Sequence, residues 1–161
     1  DNFIMGYAMG GNAALGAAIN RPDRYAACMD ISGGIGMTMC PETLAAELEG
    51  EHFKNFFPLY NHTFGPGSAV AGSTADLRTQ LLRRRQEGCP EPKFILVCGS
   101  EEFIRQRVED DVAAMQQLDM DVDYICAQGY DHDFRLWDRY MQLGLDRLLP
   151  LRRRAIYPES K

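Results

Sequence analysis

The chain has 161 residues, 45% hydrophobic and 25% charged, with a formal charge of −6, the balance of a soluble globular protein with core enough for one domain. No apolar run approaches the roughly 20 residues that span a bilayer. The acidic balance excludes a general nucleic-acid surface, and the arginine triplets at 83–85 and 152–154 are too short to reverse it.

Residues 3–5 form a short apolar run that Gly6 ends, and small and apolar residues from 9 to 19 follow a helical rhythm until "NRPD" stops it. "YAACMDI", 25–31, predicts a second, buried strand closed by the glycines of "SGGIG". From 33 to about 72, prolines, glycines and aromatics break the pattern, with one short helix predicted at "PETLAAEL". That much apolar surface predicts a cap-like, substrate-facing insertion rather than a linker. Ser73 is the predicted N-cap of the helix "ADLRTQLLRRRQEG", which Gly88 terminates. "KFILVCG" is the clearest strand. Phe103, Ile104, Val108, Val112, Met115 and Leu118 make a helical stripe, "VDYICAQ" is a further strand, and 134–149 is a closing helix.

Strands alternating with helices predict an α/β fold over a single domain, 1–161, with a mostly parallel sheet flanked by helices and functional loops beyond the strands' carboxyl ends. The five cysteines, Cys28, Cys40, Cys89, Cys98 and Cys126, are odd in number and lack metal-site spacing. They read as free thiols in a reducing compartment and predict a cytoplasmic protein. The chain opens on Asp1 directly before a strand, with no start methionine or signal peptide, which predicts a portion of a longer protein.

Three predicted strand ends carry suggestive chemistry. Gly6-Tyr7-Ala8-Met9-Gly10 has the spacing of the G-x-S-x-G elbow, whose glycines permit a sharp strand-to-helix turn that lifts the central residue from the sheet. "CGSEEF" places Glu101 and Glu102 after a strand, and "GYDHDF" places His132 in a loop before the last helix. Each has a plainer reading alone: small residues for packing, acids favoured at a helix N-terminus, a solvated histidine. Their order is more specific, because nucleophile, acid and histidine positions follow one another as in an α/β-hydrolase triad.

On these motifs the chain resembles the esterase family that includes esterase D (S-formylglutathione hydrolase), tributyrin esterase and feruloyl or acetyl esterases. "GYAMGGNAALGAAINRPDRYAACMDISG" is similar to its nucleophile helix and following strand, "CGSEEF" to its acid loop and "GYDHDFRLWDRYM" to its histidine loop. The resemblance implies the C-terminal portion of an α/β-hydrolase fold without its N-terminal strands. It also implies a serine carboxylesterase acting on a small-molecule ester or thioester with no metal or cofactor. His132 then takes the base position and Glu102 the acid position, usually aspartate in the family, with Glu101 as the fallback. The Met9 N–H is one of two oxyanion donors, and Ala8 stands at the serine position. Alanine has no hydroxyl, and neither Ser32 nor Ser100 sits at the turn, so the expectation is an inactive chain. The alternatives are a non-catalytic ligand-binding pseudohydrolase, or a homo-oligomerising fragment that pairs through an open sheet edge. Tyr7, Phe53, Phe57 and Tyr60, with Phe56 and Phe64, would line an acyl or aryl pocket, packing of the insertion onto the domain being the competing use.

Overall fold

The computed structural model describes residues 2–35, 58, 62, 63, 65 and 70–147. Strands and helices alternate along the chain: β1 (Phe3–Tyr7), α1 (Met9–Asn20), β2 (Ala27–Ile31), α2 (Leu77–Gln86), β3 (Lys93–Gly99), α3 (Arg105–Gln117), β4 (Val122–Ala127) and α4 (Phe134–Arg147). The four strands form one sheet in the order β1-β2-β3-β4. Every pairing is parallel, with Phe3 opposite Ala27, Ala27 opposite Lys93 and Phe94 opposite Val122.

A parallel sheet is covered on both faces, so its central strands read as unbroken apolar runs whose alternate residues serve different layers. Cys28, Phe94, Leu96 and Cys98 join one core with Leu15, Ile19, Leu81, Val108, Val112 and Met115 from α1, α2 and α3. Met29, Ile31, Ile95 and Val97 join the other with Leu136 and Trp137 of α4. All four chain reversals therefore leave the strands' carboxyl ends on one rim of the sheet, above residues 7, 31, 99 and 127.

The start of α2 differs from the sequence expectation. Asp76, not Ser73, caps it: the Asp76 carboxylate accepts the N–H of Thr79 at 3.1 Å and reaches back to the N–H of Gly72 at 2.8 Å. The Ser73 hydroxyl instead accepts the N–H of Ala75 at 3.2 Å, which makes a turn one step before the helix. Asp76→Ala is therefore expected to lower unfolding free energy by about 1–2 kcal/mol, with Ser73→Ala costing clearly less. Urea denaturation of the two variants distinguishes the caps. Most of the predicted insertion, including its short helix and Phe53, Phe56, Phe57, Tyr60 and Phe64, lies outside the described residues.

Candidate active site

β1 turns into α1 at a single residue. Ala8 has φ 50° and ψ −127°, a backbone that L side chains rarely adopt. It is held from both sides, its N–H donating to the Ile31 carbonyl at 2.9 Å and its own carbonyl accepting from Gly11 and Asn12 at 2.9 and 3.2 Å. So sharp a turn brings strand and helix backbones together: a Cβ on Gly6 would stand 2.2 Å from the Gly10 carbonyl oxygen, so residue 6 must be glycine. Met9 then opens α1, and its N–H, like others of a first helical turn, has no acceptor within the helix.

The acid and histidine loops meet beside this turn. The Glu102 side chain is fully buried, with one carboxylate oxygen 3.0 Å from Nδ1 of His132. Its other oxygen accepts the N–H of Gly99 at 3.0 Å and the hydroxyl of Ser32 at 2.5 Å. Glutamate is one methylene longer than aspartate, and the excess is taken up by folding back over the start of its own loop. That fold needs Gly99, where a Cβ would lie 3.2 Å from Cγ of Glu102 and 2.2 Å from the Tyr130 carbonyl oxygen. Two more bonds zip the loops together, Glu101 N–H to the Tyr130 carbonyl at 3.0 Å and Gly129 N–H to the Ser100 hydroxyl at 2.8 Å. Glu101 faces outward and accepts the Ser100 hydroxyl at 2.8 Å, so Glu102 and not Glu101 meets the imidazole.

Aromatic rings connect the histidine to the elbow. The edge of Trp137 meets His132 at 5.0 Å between ring centres, while Tyr7 stacks on Trp137 at 4.6 Å and Phe134 meets it edge-on at 4.8 Å. Ala8 packs against the same cluster. Phe103, expected on the buried stripe of α3, instead lies before the helix, is exposed, and flanks His132 at 5.3 Å. Tyr7, Met9, Phe103 and Phe134 are the exposed large apolar side chains among the described residues, and all four sit on this rim. The sequence reading weighed Ser32 only as a replacement nucleophile and Gly99 only as a strand end, and it passed over Trp137. Only the serine carries a local signal, standing before two glycines at a strand end.

Comparison with known proteins bears on the architecture. The chain is 24% identical over 144 residues to an acetyl esterase of Caldicellulosiruptor saccharolyticus, a match covering 86% of this chain and 51% of that protein. It superposes on FphF, a fluorophosphonate-binding serine hydrolase of Staphylococcus aureus, with a TM-score of 0.74 at 23% identity, over 91% of this chain and 53% of that one. It superposes on the S-formylglutathione hydrolase FrmB of the same organism with a TM-score of 0.71 at 24% identity and the same coverage. The chain has the α/β-hydrolase fold. It spans about half the length of the relatives it matches, so the hydrolase fold is present in part. No family model matches the chain.

Beneath the turn from β1 into α1 lies a second buried carboxylate. Asp30, fully buried at the end of β2, accepts the N–H groups of Gly33 at 2.9 Å and Gly34 at 2.6 Å. Burial outweighs those two bonds and, with the charges of Asp111 and Glu102 adding to it, pushes the carboxyl up to about 7. The folded chain then holds a proton that the unfolded chain releases near pH 4, so stability is greatest below pH 4 for this group and falls as pH rises towards 7. The full effect is at most about 4 kcal/mol. Urea titrations at pH 5 and pH 8 should show the fall, and Asp30→Asn, though less stable throughout, should flatten it. An unchanged slope in the variant would assign the fall to other groups. Among the described residues no three His, Cys, Asp or Glu side chains are grouped to hold a metal ion.

Proposed function

We propose that this chain carries the elbow, acid and histidine of an ester hydrolase for small acyl esters or thioesters, and that it does not turn over because Ala8 occupies the nucleophile position. The observation that carries the reading is the 3.0 Å contact between buried Glu102 and His132 Nδ1, on the same rim as an elbow residue held at φ 50°. Relatives named as esterases and hydrolases support it.

With Nδ1 engaged by Glu102, Nε2 is the nitrogen left to exchange a proton with a reacting group. Given a hydroxyl at residue 8, Nε2 takes its proton as the oxygen adds to the acyl carbon, and Glu102 stabilises the resulting imidazolium. The same proton passes to the departing alcohol or thiol, and water then repeats the sequence to release the acid. The Met9 N–H supports the oxyanion. In this fold the second donor comes from a loop after a strand that precedes the elbow strand. The apolar rim of Tyr7, Phe103 and Phe134 favours an apolar acyl or aryl group. Cys28, Cys89, Cys98 and Cys126 are unbridged, and burial pushes the Cys28 and Cys98 thiols up. These thiols support a reducing, cytoplasmic setting. No helix among the described residues is long and apolar enough to cross a membrane.

Activity-based labelling tests the reading. The unchanged chain should take up no fluorophosphonate, and Ala8→Ser should be labelled at residue 8. Stoichiometric labelling of any serine in the unchanged chain would refute it.

A further inference from the structure

We infer that Ser32 and Trp137 are positioning residues that aim the Glu102 carboxylate at His132, a role that rests on the ester-hydrolase reading above. Donor direction decides the chain of bonds. The indole N–H can only donate, so at 3.2 Å the Ser32 oxygen accepts from Trp137. Its own hydrogen is thereby left for Glu102, the other partner of Oγ. One carboxylate oxygen thus takes two donors, Ser32 and Gly99, and the other is turned to Nδ1 of His132. The longer acid has one more rotatable bond than aspartate, and these contacts remove that freedom.

Ser32 occupies a costly backbone. Its φ is 61°, where glycine is at ease and serine is not, and it is 2% exposed. A residue chosen for backbone comfort or for packing alone would be glycine there, so the hydroxyl is the reason for serine. Trp137 adds a second link, because its ring also edges His132 and stacks on Tyr7, so one side chain sets acid, histidine and elbow in register.

The backbone makes the test clean: Ser32→Gly relaxes the strained φ, so the variant should fold while losing only the hydroxyl. The readout is the Nδ1–H proton of His132 by NMR, which a held carboxylate shifts downfield and shields from exchange with water. The unchanged chain should show it. Ser32→Gly should lose it while amide resonances of β3 and α3 stay in place, and Trp137→Phe should broaden it. In an Ala8→Ser background, Ser32→Gly should lower kcat about 10²-fold with KM little altered, as expected for misaimed groups. A resonance that persists unshifted in Ser32→Gly, or that is absent from the unchanged chain, would overturn the assignment. An inactive Ala8→Ser chain would instead count against the ester-hydrolase reading, with the resonance still judging the brace.

Discussion

Ala8→Ser gives a chain that a fluorophosphonate labels in full but that turns over p-nitrophenyl acetate about 10²–10³-fold more slowly than the same variant extended by the strands preceding the elbow in this fold. Both halves of that result follow from the elbow. The backbone at residue 8 is already held at φ 50° by Ile31, Gly11 and Asn12, so the new hydroxyl arrives in position without rearrangement. The proposed base is already braced, since Glu102 meets Nδ1 of His132 at 3.0 Å. On the proposed reading the Met9 N–H is one of two oxyanion donors, and loss of a single donor costs about 2.7–4 kcal/mol. A covalent probe with a strong leaving group tolerates that deficit over hours, whereas steady-state turnover exposes it. Equal rates for the short and extended serine forms would show that the second donor is not supplied by the preceding strands.

Gly99→Ala should be among the most damaging single methyls on the rim, alongside one at Gly6. The added carbon would sit 2.2 Å from the Tyr130 carbonyl oxygen, a backbone atom that cannot swing aside, and would press on Cγ of Glu102. Separating the acid and histidine loops costs about 1–3 kcal/mol of stability by overpacking. In the Ala8→Ser background it should also lower kcat by about 10²-fold or more, because Glu102 and His132 move apart. Gly10→Ala is the control: nothing lies within 4 Å of its added carbon, and in a helix alanine gains about 0.5–1 kcal/mol over glycine. Thermal melts should therefore move in opposite directions. A Gly99→Ala chain as stable as its parent would mean that the two loops do not meet as described.

The order of elements was legible because each strand is a short apolar run and each helix a spaced stripe, and those two periods differ. The elbow was legible for a related reason: Gly6 and Gly10 flank a residue between a strand and a helix, and few other local structures need that pattern. The α2 cap was not, because Ser73 and Asp76 both suit an N-cap and only the fold of the preceding turn decides between them. Phe103 fitted the stripe of α3 by spacing, yet the chain enters that helix two residues later and leaves the ring on the rim. The bond between Ser32 and Trp137 was not legible because they lie 105 positions apart, and no local pattern reports a hydrogen bond closed only by the sheet. The resemblance already put Glu102 ahead of Glu101, but the physical reason is not local: it depends on which neighbour turns inward once Gly99 has docked against Tyr130.

The strand order has a consequence for assembly. β1 and β4 are the two margins of the described sheet, and among the described residues no strand pairs with the outer margin of either. Two copies joined β1 to β1 about a two-fold axis run antiparallel and form a closed pair that offers only β4 margins. Copies joined β1 to β4 run parallel, and each addition leaves a fresh β1 at one end and a fresh β4 at the other, so growth has no natural stop. Which margin meets which therefore separates a discrete dimer from a filament. Lys93, bridged to Asp121 and Asp123, places paired charges on the β4 side, whereas the β1 side presents Phe3, Ile4 and Met5.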